Sequence, residues 1–302
     1  MPAKAPKKQI QYPLEDRIYY GVVNLVLSLF TLVILLPLIN IVAASFSSPT
    51  AVATSRVVLW PVEFSLKGYS AVFSNPYVLT GYRNTIFYTI LGTLINVSVT
   101  LLAAYPLSRK DLPFRGFFMF LFTFTMFFSG GLIPTYLLVN SLRLVGSFWS
   151  LLLPGALSVY NMILTRTFMQ SNIPSELLEA AQIDGCSDLR FFFNMVLPLS
   201  KAVIAVIALY YAVGHWNAYF DAMIYLNEKD TYPLQLILRD ILIANQISTN
   251  DIVDDAVLAG KQGMADLLKY SLIIVSSLPI ICVYPFVQKY FVKGVMIGSV
   301  KG

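Results

Sequence analysis

Six long stretches without a charged side chain constrain this chain most. Each lacks Asp, Glu, Lys and Arg, and each approaches or exceeds the 20 or so apolar residues that a helix needs to cross a bilayer. Backbone groups in lipid must be paired within the segment, so such stretches form helices or a closed barrel. The six stretches are Ile18–Ser55, Asn84–Ser108, Gly116–Leu142, Leu144–Thr165, Ala202–Phe220 and Tyr270–Gln288.

The near-continuous apolar character of these stretches excludes the alternating pattern of a barrel strand. Charged residues make up 12% of the chain, about half of the share in soluble proteins. We therefore predict an all-α integral membrane protein with six transmembrane helices. The first stretch extends beyond the predicted helix, because Ser45–Thr50 has the composition of a loop.

Lys and Arg residues predict the orientation, since they are enriched in cytoplasmic loops. With both termini cytoplasmic, thirteen of the 21 fall inside and eight outside, and the short loop 109–115 is the clearest case. Three lysines before the first apolar stretch resemble the start of a signal peptide, but Val22–Ala44 is longer than a signal core. We expect a retained helix.

The predicted layout has four parts. A cytoplasmic tail, 1–17, precedes the first transmembrane helix and outer loop, 18–81. A permease-like core, 82–288, is followed by a second cytoplasmic tail, 289–302. Two outer loops, 45–82 and 221–269, are too long for simple connectors, and the second has a short amphipathic helix predicted near 232–238.

The cytoplasmic segment 174–185 predicts a short helix that is too polar for lipid. Pro174 suits a helix start and Gly185 a left-handed helix end. Leu177, Leu178 and Ala181 fall on one face. Glu179 and Asp184 offer charges to a basic partner surface. From these residues alone, an ordinary surface loop with a solvated acidic face remains an equal alternative.

The pattern of this segment resembles the EAA loop of Type I ABC importer permeases. It consists of Glu179-Ala180-Ala181, then Asp184-Gly185, then Met195-Val196-Leu197-Pro198. Further stretches are similar to the carbohydrate-uptake branch, relatives of the smaller permease subunit of the maltose system, and most of all to LplC- and YtcP-like oligosaccharide permeases. These stretches are Gly130–Tyr136, Leu152–Gly155, Trp216-Asn217 and Lys293–Gly302.

The resemblance implies a MetI-like fold in a multi-pass protein of the bacterial inner membrane. It makes 174–185 a coupling helix seated on a separate cytoplasmic ATPase dimer, with contacts from the six residues Glu179, Ala180, Ala181, Asp184, Gly185 and Pro198. The tail would reach the ATPase through Lys293, Gly294, Lys301 and Gly302, although a frayed terminus fits equally. A second homologous permease subunit and an extracytoplasmic solute-binding protein would complete a sugar importer.

Motifs for chemistry within this chain are missing from its sequence. Gly260-Lys261 is followed by Gln262 and lacks the upstream glycine of a phosphate-binding loop. We therefore expect no enzymatic activity, with ATP and Mg²⁺ held by the partner ATPase.

Cys186 and Cys282 lie far apart and are not at the spacing of metal ligands, so neither a metal site nor a disulfide is expected. The scattered basic residues predict no nucleic-acid partner, and lipid surrounds the chain instead.

Polar residues inside spanning helices usually face a cavity or the bundle interior. The candidates for lining a solute pathway are Asn96, Asn161, His215, Trp216 and Asn217. A more ordinary interpretation is an interfacial aromatic belt with helix–helix hydrogen bonds. Three functions remain open at this point: a sugar permease, the same architecture for another solute, and an ATP-independent transporter, for which a coupling loop would have no purpose.

Overall fold

A computed structural model describes the backbone of residues 13–250 and 255–299, and the side chains of residues 13–244 and 262–285. Within that part of the chain the secondary structure is helical, without strands. The helices up to the middle of the chain are α1 (Leu14–Ser45), α2 (Pro49–Ala53), α3 (Lys67–Phe73), α4 (Tyr77–Ser108), α5 (Arg115–Phe127), α6 (Leu132–Ser141), α7 (Trp149–Leu152) and α8 (Val159–Asn172).

The remaining helices begin directly after α8. They are α9 (Ser175–Ile183), α10 (Asp188–Phe191), a π-helical turn (Phe192–Val196), α11 (Leu197–Leu199), α12 (Lys201–Asn217), α13 (Phe220–Tyr225), a 3₁₀ turn (Lys229–Thr231), α14 (Leu234–Asn250) and α15 (Asp255–Ser299). The chain divides into two compact units, one within Met1–Ala71 and Thr249–Ile274, the other within Val72–Ser248 and Val275–Gly302.

In the first unit, α1 is apolar and almost wholly exposed in the isolated chain. The 18-residue window that marks it as a membrane span is 0% buried, as expected for a helix whose solvent is lipid. Near its end, the Asn40 amide donates to the carbonyl oxygens of Val57 and Val58 at 3.0 and 2.9 Å. The helix ends at Ser45 and α2 begins at Pro49, so the predicted loop Ser45–Thr50 is confirmed only for residues 46–48.

In the second unit, α4 is the central element and packs along both α8 and α12. Gly92 allows α4 and α12 to approach closely, because a Cβ at this position would lie only 2.4 Å from Nε2 of His215. Toward one end, buried side chains of α8 and α10 join α4 in an apolar core that includes Leu101, Met162 and Phe192.

At its other end α4 holds the segment 230–234 with polar side chains. The Asn84 amide donates to the carbonyl oxygens of Asp230 (2.7 Å) and Tyr232 (3.1 Å). The Tyr88 hydroxyl donates to the carbonyl of Thr231 at 2.8 Å. Thr85 is fully buried and accepts from a backbone N–H of the same segment.

Among the described residues, three helical stretches can each cross a membrane by length and composition: Leu14–Ser45, Tyr77–Ser108 and Gln262–Pro285. Two bent pairs can add further crossings, α5 with α6 (113°) and the helices of Asp188–Leu199 with α12 (79°). The predicted helix through Gly116–Leu142 is thus sharply bent, at a Gly131 whose φ is +86°.

The predicted continuous helix through Leu144–Thr165 is wrong. The structure has the four-residue α7, a non-helical segment 153–158 and then α8 in this range. Pro154-Gly155 lies inside the interruption, where proline removes a backbone donor and glycine favours irregular backbone. A search for stretches without charged residues detects neither of these backbone effects.

Candidate functional site

Helix α9 lies in the segment that the sequence singles out, and its ends follow from local chemistry. Pro174 precedes the first turn with ψ 144°, and Glu176 lies in that turn, at the positive end of the helix dipole. Gly185 follows the helix with φ +71°. The backbone N–H groups of Gly185 and Cys186 donate to the carbonyls of Gln182 (3.0 Å) and Ala181 (2.9 Å). This pattern is a Schellman cap.

One face of α9 is fixed to the second unit. Leu177, Leu178 and Ala181 pack against the core formed by α4, α8 and α10, as their spacing predicts. Ala181, a predicted partner contact, is thus partly buried within its own chain. The other face is exposed: Glu179 and Ala180 lie on it, and Ile183 is 87% exposed. An apolar side chain this exposed beside a carboxylate is typical of a surface that a partner covers.

The end of α4 lies beside α9 and has its carbonyls capped by three side chains. Arg166 Nε donates to the carbonyl oxygen of Leu107 at 2.9 Å. Gln170 donates to Ser108 at 3.1 Å, and Arg115 donates to Arg109 at 3.2 Å. The last carbonyls of a helix lack partners within it, and cations are favourable at this negative end. α5 and α8 are therefore tied to the end of α4.

Arg109 directly follows α4 and joins two acidic residues. Its Nε donates to Asp111 Oδ1 at 2.8 Å, and its Nη1 donates to Asp188 Oδ1 at 2.5 Å. The Arg109 side chain is 14% exposed. Hydrogen bonding to Arg109 lowers the pKa of Asp111 below its ordinary value, and the bond to Asp111 raises the pKa of Arg109. Both groups are thereby kept charged.

A cavity of about 910 Å³ separates α9 from the loop after α4. Its lining carries both signs of charge and includes Arg109, Lys110, Arg115, Glu176 and Glu179. The basic loop 109–115 and α9 therefore lie at the same end of the second unit. The sequence did not indicate that Arg109, Arg166, Gln170 and Asp188 belong to this site, because they are scattered along the chain and no motif connects them.

The other predicted coupling residues lie close by. Asp184 follows the last residue of α9, and it is exposed together with Gly185. Pro198 is exposed in α11, three residues before α12 begins. The side chains of Lys293 and Gly294, and all of Lys301 and Gly302, lie outside the described residues.

The candidate pathway residues are not gathered on one surface. Asn96 is 1% exposed, and its amide group donates to the carbonyl oxygen of Gly155 at 2.7 Å while its Oδ1 lies 2.7 Å from His215 Nε2. Trp216 is buried and donates from Nε1 to the carbonyl of Ser276 at 3.0 Å. Asn161 is buried at 5% exposure.

Asn217 is the exposed member of the candidate set, and its amide bonds to the carbonyl of Val213 in its own helix. A second polar contact lies one turn along α4 from Asn96, where the hydroxyls of Thr100 and Tyr211 are 2.7 Å apart. The Tyr211 oxygen also accepts from the Ser158 N–H at 3.0 Å. These hydrogen bonds join α4, α12 and segment 153–158, while a role in lining the pathway stays a prediction.

The family comparison completes the description of this site. Residues 13–297 match the family described as "Binding-protein-dependent transport system inner membrane component". The chain belongs to this family. It is therefore an inner-membrane permease component of an ABC importer, as the EAA-like pattern predicted, and its fold is the MetI-like fold of such permeases.

Two relatives of this permease come from Bacillus subtilis (strain 168). The polygalacturonan/rhamnogalacturonan transport system permease protein YtcP is 43% identical over 95% of this chain and 98% of its own length. Protein LplC is 43% identical over 89% of this chain and 90% of its own. The resemblance to LplC- and YtcP-like permeases is thus confirmed.

A solved structure shows the same fold. It is the crystal structure of a bacterial ABC transporter involved in the import of the acidic polysaccharide alginate. One of its chains is 34% identical to this permease, with a TM-score of 0.81, and the match covers 94% of this chain and 100% of that chain.

Proposed function

We propose that this permease forms half of the translocation pathway of an importer for acidic oligosaccharides. Two similar proteins handle polymers of acidic sugars by their names: a polygalacturonan/rhamnogalacturonan permease and an alginate importer. A second homologous permease subunit supplies the other half. An extracytoplasmic solute-binding protein delivers the sugar, and a cytoplasmic ATPase dimer holds the ATP and Mg²⁺.

The two-faced burial of α9 is the observation that carries the proposed coupling to a separate ATPase. Its apolar face is packed onto the second unit, so a force on α9 reaches α4 and α8 directly. Its exposed face presents Glu179 beside Ile183. A carboxylate that meets a guanidinium in such an interface forms a charge-assisted hydrogen bond, about twice as strong as a neutral one. Glu179 is the principal charge that α9 offers to the ATPase, and the tail 293–302 is a second contact.

The proposed topology has six crossings with both termini in the cytoplasm. Loop 109–115 carries Arg109, Lys110 and Arg115, and basic loops are retained in the cytoplasm. This loop and α9 line one cavity, which supports the same side of the membrane for both in the proposed topology. The fourth crossing is made by α7, segment 153–158 and α8 together, and the third and fifth by the bent pairs.

The test is sugar-stimulated ATPase activity and uptake by the complex purified with its neighbouring subunits. Short oligogalacturonates and oligoalginates are expected to stimulate both activities, whereas neutral oligosaccharides of equal length are not. Stimulation by neutral sugars alone would reject the acidic substrate and keep the sugar importer. Stimulation by a non-sugar solute alone would favour the same architecture for another substrate, and uptake that persists without ATP would reject the ABC mechanism.

A further inference from the structure

Segment 153–158 places non-helical backbone near the middle of the membrane. The carbonyl oxygen of Gly155 lies 2.7 Å from the amide nitrogen of Asn96. Asn96 is the midpoint of the uncharged stretch Asn84–Ser108, which is long enough to cross the bilayer. Gly155 is therefore level with the middle of that stretch. A broken backbone at this depth requires partners for its polar groups, because lipid offers none.

One side of the segment has such partners. Asn96 satisfies the Gly155 carbonyl, and the Tyr211 hydroxyl satisfies the Ser158 N–H. Ser158 Oγ in turn accepts from the N–H of Asn161 at 3.4 Å, which caps α8. Both donor side chains come from helices packed on each other, α4 and α12. This side of the interruption is thus fixed within the second unit.

The other side is open in the isolated chain. Leu153, Pro154 and Gly155 are all exposed, and a Cβ placed on Gly155 would meet no atom within 4 Å. Irregular backbone does not face lipid in known membrane proteins; it occurs where it is buried in protein or lines a water-filled cavity. The open side therefore faces either the partner permease or water.

The neighbouring helix favours water. α12 supplies Tyr211 to the segment, and its exposed positions Tyr210, Gly214 and Asn217 are spaced four and three residues apart, along one face. Tyr210 and Asn217 carry polar groups, and Gly214 has no side chain. Polar side chains on a spanning helix face the bundle interior or a water-filled cavity rather than lipid.

From this geometry we infer that residues 153–155 form a wall of the solute pathway at membrane mid-depth, where the oligosaccharide passes the open face of Gly155. This inference rests on the proposed function, since it needs a hydrophilic solute that crosses beside this chain. Gly155 suits such a wall, because it has no side chain that could narrow the passage and a Cβ added there would meet open space.

Cysteine accessibility in native membranes tests the inference. The chain has two cysteines, so Cys186→Ala/Cys282→Ala provides a background for Gly155→Cys. Val33→Cys is the matched control, because Val33 lies near the middle of the first apolar helix and is 61% exposed. A membrane-impermeant cationic thiol reagent is expected to label Gly155→Cys in the ATP-free or the vanadate-trapped state and to abolish uptake. Val33→Cys is expected to stay unlabelled.

A second variant measures obstruction directly. Gly155→Trp adds a large side chain on the open face, where a Cβ meets no atom of this chain within 4 Å, and is expected to lower uptake more than tenfold at normal abundance, whereas Gly21→Trp on α1 leaves uptake unchanged. No labelling of Gly155→Cys in either state, or crosslinking of this cysteine to the second permease subunit, would overturn the inference. Oligosaccharide uptake by the unsubstituted complex is measured first, so a failure of the proposed function is recognised separately.

Discussion

Arg109 donates a hydrogen bond to Asp188 across 79 positions of the sequence, at 2.5 Å. Arg109 directly follows α4, and Asp188 begins α10, the helix that comes after α9 and its cap. The pair therefore ties the segment after α9 to the end of a membrane-spanning helix. This link requires no motif, only a basic residue after one helix and an acidic residue at the start of another.

Arg109→Gln is expected to lower sugar uptake about fivefold, the factor that corresponds to about 1 kcal/mol for an ion pair at a protein surface. The variant releases α10 from α4 and leaves the docking face of α9 unchanged, so the ATPase should still co-purify. Lys110→Gln is the control: it removes the same charge one residue later, and Lys110 has no ion pair within the described side chains. Equal uptake by both variants would contradict a specific role for Arg109.

The Arg109–Asp111 pair predicts a pH dependence of thermal stability. Arg109 lowers the pKa of Asp111 below its ordinary value of 3.8, so the folded state binds this proton less tightly than the unfolded state. The stabilisation is therefore fully present above pH 3.8 and is lost as the pH falls below it. The Tm difference between wild type and Asp111→Asn should be constant from pH 5 to 8 and shrink below about pH 4. A difference that is unchanged in acid would refute the assignment.

Glu179→Lys is expected to abolish co-purification of the ATPase and sugar uptake, with the permease at wild-type abundance in the membrane. Truncating one member of an interfacial charge pair costs about 2–5 kcal/mol, and reversing it adds repulsion. Glu176→Lys is the matched control, an exposed charge reversal one turn earlier on the same helix. Normal ATPase retention and uptake by Glu179→Lys would refute the role of this residue. Equal loss of ATPase retention and uptake in both variants would show that Glu179 is not the principal charge.

Gly92→Ala is expected to destabilise the second unit. The new Cβ would lie 2.4 Å from the imidazole ring of His215, which is rigid and hydrogen-bonded to Asn96. Overpacking of this kind costs about 1–3 kcal/mol. Gly214→Ala meets open space in α12 and should raise stability slightly, because alanine favours helix more than glycine.

Thermal unfolding of the detergent-solubilised permease measures both glycine variants. Adding His215→Ala to Gly92→Ala removes the clash, so the double variant should be more stable than the sum of the two single effects predicts. Equal stability of Gly92→Ala and Gly214→Ala would show that α4 and α12 are not in close contact at this level.

The ends of α9 could be predicted from sequence because proline and glycine act locally there, and Leu177, Leu178 and Ala181 revealed which face is buried. The interruption of the fourth apolar stretch could not be predicted from hydrophobicity alone, although Pro154-Gly155 was a visible signal. Asn96 illustrates a different limit. A polar residue in a spanning helix can face solute or a neighbouring helix, and which of them it meets depends on residues far away in sequence, such as Gly155 and His215.

The uninterrupted length of α4 has a mechanical consequence. Its 32 residues make a rod about 48 Å long, anchored by Asn84 and Tyr88 to segment 230–234 at one end and by Arg109 to Asp188 at the other. A tilt of about 5° around its centre displaces each tip by about 2 Å in opposite directions. A molecule that binds segment 230–234 and tilts α4 therefore also moves Asp188 and the neighbouring α9. By reciprocity, a molecule that binds α9 changes the affinity of segment 230–234 for its own ligand by the same factor.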